Sequence, residues 1–182
     1  VARILACHPE EIIFTSGGSE SDNLAIRGAA RAMRAAGRGA HLITSVIEHE
    51  AVLATMHALD ACGFDLSVVG VDAQGRVSAD EILAALRPDS VLVSLMLANN
   101  EVGSLQPVAE IGATLRGRGV LLHTDAVQAG AWLDLNVERL GVDLCRSRLA
   151  VGLFGAEPWS DAMRAEIAAR LPIRPVDSYG LS

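Results

Sequence analysis

The 182-residue sequence contains no lysine, so all 15 of its basic residues are arginine. No step of its chemistry can therefore use a lysine amine as a nucleophile or a base. The formal net charge of −7 argues against a nucleic-acid-binding surface, which needs clustered positive charge. No uninterrupted apolar run approaches the length of a membrane span, and no signal peptide is visible. We therefore expect no transmembrane helix and no membrane partner.

Cysteine is also scarce. Cys7, Cys62 and Cys145 lie far apart and form no CxxC pair, which argues against a disulfide framework and favours a reducing, cytoplasmic location. We expect all three thiols to be small, buried, apolar side chains. Apolar residues are abundant at 51%, and charged residues make up 20%, so a globular core is expected. Because the chain begins at Val1 and ends at Ser182 without a loop-like tail, we expect a piece of a longer protein.

Predicted strands and helices alternate along the chain. The patterns predict strands at residues 11–15, 41–44, 64–71, 91–97 and 119–123, with helices at 19–36, 48–62 and 78–86 and from 107. Such alternation indicates an α/β fold, with a mostly parallel sheet and helices on both faces. Ser19 and Asp22 predict a capping pair at the start of the first helix. Ser78 and Glu81 predict a capping box at the start of the third.

Polar residues follow the predicted strands at the points where the strands end. These residues are Gly18 and Ser19, then His49, then Asn99 and Asn100, and finally Asp125 with Gln128. In an open α/β sheet the carboxyl ends of the strands meet at one crevice, where ligands bind. The sequence therefore predicts one site built from several distant segments.

The side-chain types at these positions suit pyridoxal 5′-phosphate (PLP). Backbone amides of Gly18-Ser19, at a helix start, can bind the phosphate. Asp125 can keep a pyridine nitrogen protonated through a charge-assisted hydrogen bond, which makes the ring an electron sink. Asn100 and Gln128 can donate to the ring phenolate oxygen, and His49 can stack on the ring face. A metal-hydrolase interpretation of His123 with Asp125 is weaker, because no second histidine-rich strand end supports it.

Four segments resemble the core motifs of the cysteine desulfurases, PLP enzymes of the class V aminotransferase group. They are Phe14-Thr15-Ser16-Gly17-Gly18-Ser19-Glu20-Ser21-Asp22-Asn23-Leu24-Ala25, Ile47-Glu48-His49, Ala98-Asn99-Asn100-Glu101-Val102-Gly103 and His123-Thr124-Asp125-Ala126-Val127-Gln128. They occur in the family's order and at family-like spacing. The resemblance covers about residues 1–144. It implies an incomplete three-layer α/β/α large domain like that of the fold-type I PLP enzymes.

The resemblance also implies an activity. The family removes sulfur from L-cysteine, leaves alanine, and passes an enzyme persulfide to sulfur-acceptor proteins, as in iron–sulfur cluster assembly. Its members are homodimers. By this resemblance His49 is the catalytic residue that takes part in proton transfers, and no metal is involved. The implied cofactor-binding residues are Gly18, Ser19, His49, Asn100, Asp125 and Gln128.

The match ends after Asp143. There the family continues to a serine and then a His-Lys pair whose lysine holds PLP covalently, whereas this chain has Cys145-Arg146-Ser147-Arg148. The family's smaller C-terminal domain and its persulfide-forming cysteine have no counterpart either. We therefore expect that PLP cannot be attached covalently and that this chain by itself is inactive. A non-catalytic module that binds PLP or phosphate remains an alternative.

The remaining residues resemble a different family. Residues 148–182, with Gly155-Ala156-Glu157-Pro158 and Tyr179-Gly180, are similar to a piece of the phenylacetate–CoA ligases, which are adenylate-forming enzymes. The resemblances together predict a desulfurase-like segment at residues 1–146 and a ligase-like segment at residues 147–182. An acyl-CoA ligase fragment is thus a second functional alternative.

Overall fold

The computed structural model describes residues 1–130 together with Leu133 and Leu135. In chain order the elements are α1 (Ala2–Leu5), a short 3-10 helix (Pro9–Glu11), α2 (Gly18–Ala35), β1 (His41–Ser45), α3 (Glu50–Asp60), β2 (Asp65–Val69), α4 (Ala79–Ala84), β3 (Ser90–Ser94), α5 (Val108–Leu115) and β4 (Leu121–His123). The four strands pair in parallel, in the order β2-β1-β3-β4. The predicted α/β fold with a parallel sheet is confirmed.

Apolar side chains cover both faces of this sheet. On one face Leu42 of β1 and Leu92 of β3 pack against α2 and α3. Their neighbours Ile43 and Val93 point to the opposite face, where α4 and α5 pack. This alternation produces the three layers that the sequence predicts. None of the helices in the described part of the chain combines the length and the apolar character that crossing a bilayer requires.

The segment before α2 differs from its prediction. Residues 11–15 form no strand: the 3-10 helix ends at Glu11, and the residues after it pair with no strand in the described part of the chain. The Glu11 carboxylate accepts a hydrogen bond from the His8 backbone N–H at 2.6 Å, which favours a local turn. Phe14 is 75% exposed, so burial does not draw this segment into the sheet.

Two further local predictions are wrong. Ser19 lies inside α2 rather than before it, since the N-cap residue is Gly17, and no side chain caps this helix. Asp22 is buried and directed elsewhere. Cys62 is exposed and Cys7 is half-buried, so the predicted burial of both thiols fails, while Cys145 lies outside the described residues. The cap at Ser78 is confirmed, because its Oγ accepts the Glu81 N–H at 3.4 Å.

The connection between α2 and β1 makes a close backbone contact. Gly39 has a φ of +143°, and a Cβ atom placed there would lie 2.1 Å from the carbonyl oxygen of Asp89. The His41 N–H donates to that same carbonyl at 3.1 Å, so the contact aligns the amino ends of β1 and β3. Only glycine combines this φ with this approach.

We expect Gly39→Ala to lower the free energy of unfolding by about 2 kcal/mol, through backbone strain and the clash with Asp89. Gly37→Ala is the matched control, because Gly37 also has a positive φ, +69°, but a Cβ there meets no atom within 4 Å. That variant is expected to cost about 1 kcal/mol. Urea denaturation measures both, and equal losses in the two variants would show that the Asp89 contact is unimportant.

Candidate functional site

The carboxyl ends of β1, β3 and β4 and the start of α2 lie together. The Leu95 N–H donates to the His123 carbonyl at 3.0 Å, and the Leu97 N–H donates to the Asp125 carbonyl at 2.8 Å, so the segments after β3 and β4 continue side by side. The Asn99 side-chain amide donates to the Ile47 carbonyl at 3.1 Å and joins the segment after β3 to the one after β1. The segments with the candidate site residues are therefore held at one edge of the sheet.

Asp125 follows β4 and is only 9% exposed. One carboxylate oxygen, Oδ1, accepts the N–H of Val127 at 3.0 Å, which fixes the turn that follows. Burial raises the pKa of Asp125, and the charge of Asp22 raises it further, while the Val127 hydrogen bond and His123 oppose this rise. Asp125 is thus a buried carboxyl group with charged neighbours, at the carboxyl ends of the parallel strands. Such a group suits a cationic ring nitrogen.

The start of α2 faces this carboxyl group from one side. A Cβ added at Gly18 would meet Cγ2 of Val127 at 3.1 Å, so the helix start packs closely on the turn after Asp125. Ser19 is exposed in the first turn of the 18-residue helix. The first N–H groups of a helix have no partner within the helix, and its dipole favours an anion there. The backbone amides of Gly18 and Ser19 therefore suit an anionic group such as a phosphate.

His49 is exposed and caps α3. Its Nδ1 accepts the Ala51 N–H at 3.1 Å, which leaves Nε2 to carry the proton of the neutral ring. The buried residue before it, Glu48, bridges the ends of β1 and β3, since its Oε1 accepts from Ser45 Oγ and from the Met96 N–H, both at 2.8 Å. Burial raises the pKa of Glu48 to about 7.

The two asparagines after β3 differ in position. Asn99 is a structural residue, because its Oδ1 accepts the N–H groups of Glu101 and Val102, both at 2.9 Å. Asn100 is exposed in the turn, and Gln128 is exposed in the turn after β4. Both predicted donors are thus accessible at the carboxyl edge of the sheet.

A buried polar array joins α2 to the sheet. Nε2 of His123 lies 3.6 Å from Oδ1 of Asp22, and Nδ1 of His123 lies 2.8 Å from Oγ of Ser94. The sequence patterns predict a cap for Asp22 and offer for His123 only the weaker metal-hydrolase interpretation, and they give no separate role to Ser94 or Glu48. Within the residues that the structure describes, no group of three or more metal-ligating side chains occurs.

The residues at this edge fit PLP. A buried carboxylate suits the ring nitrogen, the helix start packed at Gly18 suits the phosphate, and an exposed imidazole suits the ring face. Covalent attachment through lysine is excluded for the 182 residues, which contain none.

Known proteins resemble the same part of the chain. It is 47% identical over 144 residues to the cysteine desulfurase IscS of Anaeromyxobacter sp. (strain Fw109-5), and the match covers 79% of this chain and 35% of that protein. It is 48% identical over 143 residues to the cysteine desulfurase IscS of Methanosarcina thermophila, with the same two coverages. The chain therefore spans little more than a third of the length of these curated relatives.

Solved structures show the same likeness. DndA from Streptomyces lividans superimposes with a TM-score of 0.71 at 41% identity, over 78% of this chain and 38% of that one. A structure described as SspA in complex with cysteine gives a TM-score of 0.74 at 40% identity, over 79% of this chain and 41% of that one. The fold is accordingly that of the large domain of the fold-type I PLP enzymes.

The ligase-like segment has no such support. Residues 147–182 lie outside the described residues, and none of the matches above favours the acyl-CoA ligase alternative, so the predicted division of the chain near residue 146 stays a prediction. The family model for class-V aminotransferases matches residues 1–147. The chain therefore belongs to the class-V aminotransferase family.

Proposed function

We propose that this chain carries the PLP-binding large-domain part of a cysteine desulfurase. The observation that carries the proposal is the buried Asp125 carboxyl group, at the end of β4 and beside the closely packed start of α2. The similarity to the desulfurases and to the cysteine-bound SspA structure supports L-cysteine as the substrate class of the whole protein. The proposed reaction removes sulfur from L-cysteine and leaves alanine and an enzyme persulfide.

Each site residue has a role in this proposal. PLP, when bound, supplies an electron sink for carbanion chemistry. Asp125 accepts a hydrogen bond from the protonated ring nitrogen, and the amides of Gly18-Ser19 bind the phosphate. Asn100 and Gln128 donate to the phenolate oxygen. His49 stacks on the ring, and its Nε2 is the atom that moves a proton, because Nδ1 already accepts the Ala51 N–H.

The absence of lysine limits what the 182 residues do alone. A lysine amine would hold the cofactor covalently and then act as a base near the substrate carbon. Arginine cannot replace it, because the guanidinium stays charged and is not nucleophilic. By itself this chain is therefore proposed to bind PLP reversibly without turning over cysteine. In the whole protein we propose a cytoplasmic homodimer that transfers sulfur to acceptor proteins.

Ligand binding tests this function against the ligase alternative. We expect saturable binding of PLP in equilibrium dialysis, and also of pyridoxamine 5′-phosphate, which has the same ring and phosphate but no aldehyde to react with the amine of Val1. ATP is not expected to bind, because a desulfurase-like site has no place for adenine. Binding of ATP, together with no binding of PLP or pyridoxamine 5′-phosphate, would refute the proposal and favour the ligase alternative.

A further inference from the structure

We propose that Asp22, His123 and Ser94 form a positioning array that sets the spacing between the start of α2 and the end of β4. This inference rests on the proposed function for the identity of the ligand, because those two places are where PLP phosphate and PLP ring nitrogen would be held. The three residues touch neither end of the ligand in this proposal. They act through Gly18-Ser19 and through Asp125.

The array spans three elements of the fold. His123 is the last residue of β4, Ser94 is the last residue of β3, and Asp22 lies in the second turn of α2. Both ring nitrogens of His123 are engaged, with Nδ1 2.8 Å from Ser94 Oγ and Nε2 3.6 Å from Asp22 Oδ1. The ring is thereby contacted from two sides, and the helix is joined to the neighbouring strands β3 and β4 through one side chain.

The spacing of residues in α2 places the Asp22 contact on the same side of the helix as Gly18. Gly18 and Asp22 are four residues apart, so they lie on the same face of α2, one turn from each other. Gly18 packs on Val127, and Asp22 faces His123. These two contacts lie on either side of Asp125 along the chain, because His123 precedes it and Val127 follows it. The helix start is therefore held against the segment on both sides of the carboxyl group.

Charge gives the array its importance. Asp22 is 4% exposed, and a buried carboxylate without a partner is costly. Its charge also acts on Asp125: burial is the main cause that raises the Asp125 pKa, and Asp22 contributes to the rise while His123 opposes it. The two carboxyl groups thus influence each other electrostatically near the place where α2 meets the end of β4. His123 Nε2 lies 3.6 Å from Asp22 Oδ1 and is the polar group that the array places against this buried carboxylate.

The spacing matters for a ligand that contacts both ends at once. Once one part of such a ligand is bound, its second contact forms within the same complex, and this raises the overall affinity. The increase in affinity becomes smaller when the distance between the two binding places no longer matches the length of the ligand. A ligand that contacts only one end does not depend on the spacing. PLP is of the first kind, whereas inorganic phosphate and pyridoxal, which lacks the phosphate, are of the second kind.

The test compares three ligands across four variants of the whole chain, namely two single variants, their combination and a control. We expect His123→Gln and Asp22→Asn to weaken PLP binding about 10-fold, while the affinities for pyridoxal and inorganic phosphate change less than about 3-fold. The double variant is expected to lose no more than the worse single variant, because both changes break the same array. His41→Gln is the matched control, because both ring nitrogens of His41 also contact polar side chains, here the hydroxyls of Ser90 at 2.7 Å and Ser67 at 2.9 Å. His41 begins β1 and so lies at the opposite end of the sheet from the site. This control is expected to leave the ratio of PLP to pyridoxal affinity unchanged.

A second readout needs no ligand. Amide hydrogen exchange of residues 18–22 should become faster in His123→Gln and Asp22→Asn but not in His41→Gln. Unchanged exchange at these residues would overturn the proposed array, whether or not PLP binds. A failure of PLP to bind is a different result, and it would refute the proposed function. An equal loss for all three ligands would show a merely structural role. Should His123→Gln not fold, Ser94→Ala is the milder variant, and an unchanged ratio of PLP to pyridoxal affinity in it would also overturn the proposal.

Discussion

Replacing Asp125 with asparagine is expected to weaken PLP binding by about 10- to 100-fold, because a hydrogen bond between charged groups contributes about 1.5–3 kcal/mol. The substitution keeps the shape of the side chain, and its Oδ1 can still accept the Val127 N–H that fixes the turn. What it removes is the negative charge that holds the ring nitrogen in its protonated form. Equilibrium dialysis with PLP measures the change.

The pH dependence of binding gives the same prediction a second form. PLP binding should weaken as the pH falls through the Asp125 pKa, which burial raises above the ordinary value of an aspartate. The loss should therefore begin at a less acidic pH than for an exposed carboxylate, and it should be absent in the Asp125→Asn variant. Asp65→Asn is the control, because Asp65 lies exposed on β2 and outside the site.

Activity provides the complementary measurement for the 182-residue chain. Alanine production from cysteine should stay at the background of free PLP in both the unmodified chain and Asp125→Asn, since neither contains a lysine. Turnover clearly above that background, abolished by Asp125→Asn, would contradict the conclusion drawn from the missing lysine. Equal PLP affinity in the two chains would contradict the role of Asp125.

The architecture is predictable from the sequence where local signals agree. Strand β3 is apolar on both faces and central in the sheet, and α4 begins after a serine cap, both as the patterns indicate. Residues 11–15 have the composition of a strand but no partner within the described part of the chain. A strand forms only when another strand pairs with it, so composition alone could not decide this segment.

The candidate site divides in a similar way. His49, Asn100 and Asp125 can be located from the sequence because each follows a predicted strand, and parallel strands bring those ends together. The roles of Asp22 and Glu48 could not be found this way. Each depends on a neighbour far away in the chain, His123 for Asp22 and Met96 for Glu48, and a carboxylate in a helix start normally indicates only a cap. Burial of a charged residue is the signal, and it emerges only in the folded chain.

Glu48 underlies the second large effect, a gain of stability at alkaline pH when its charge is removed. The side chain is 6% exposed, and its Oε1 accepts two hydrogen bonds, from Ser45 and Met96, while Oε2 is buried without a partner in the described residues. Burial raises its pKa from 4.5 to about 7 in spite of those hydrogen bonds. The folded protein therefore prefers the protonated carboxyl group.

The sign of the pH dependence follows from that shift. A group whose pKa is raised by folding contributes its full stability below the unfolded pKa, here 4.5, and loses it as the pH rises through the folded pKa of about 7. Because one pKa unit corresponds to about 1.4 kcal/mol, ionising Glu48 costs about 3 kcal/mol above pH 7. Glutamine stays neutral at every pH and keeps the Oε1 acceptor for Ser45 and Met96.

We therefore expect Glu48→Gln to unfold with the same free energy as the unmodified chain near pH 4.5, and with a free energy about 3 kcal/mol higher at pH 8. Urea denaturation at both pH values measures this difference. Glu110→Gln is the control, because Glu110 is exposed in the first turn of α5, and its effect should stay within about 0.5 kcal/mol at either pH. A difference for Glu48→Gln that is the same at both pH values would show that the buried carboxyl group does not titrate in this range, and that its two hydrogen bonds hold the ends of β1 and β3 in either charge state.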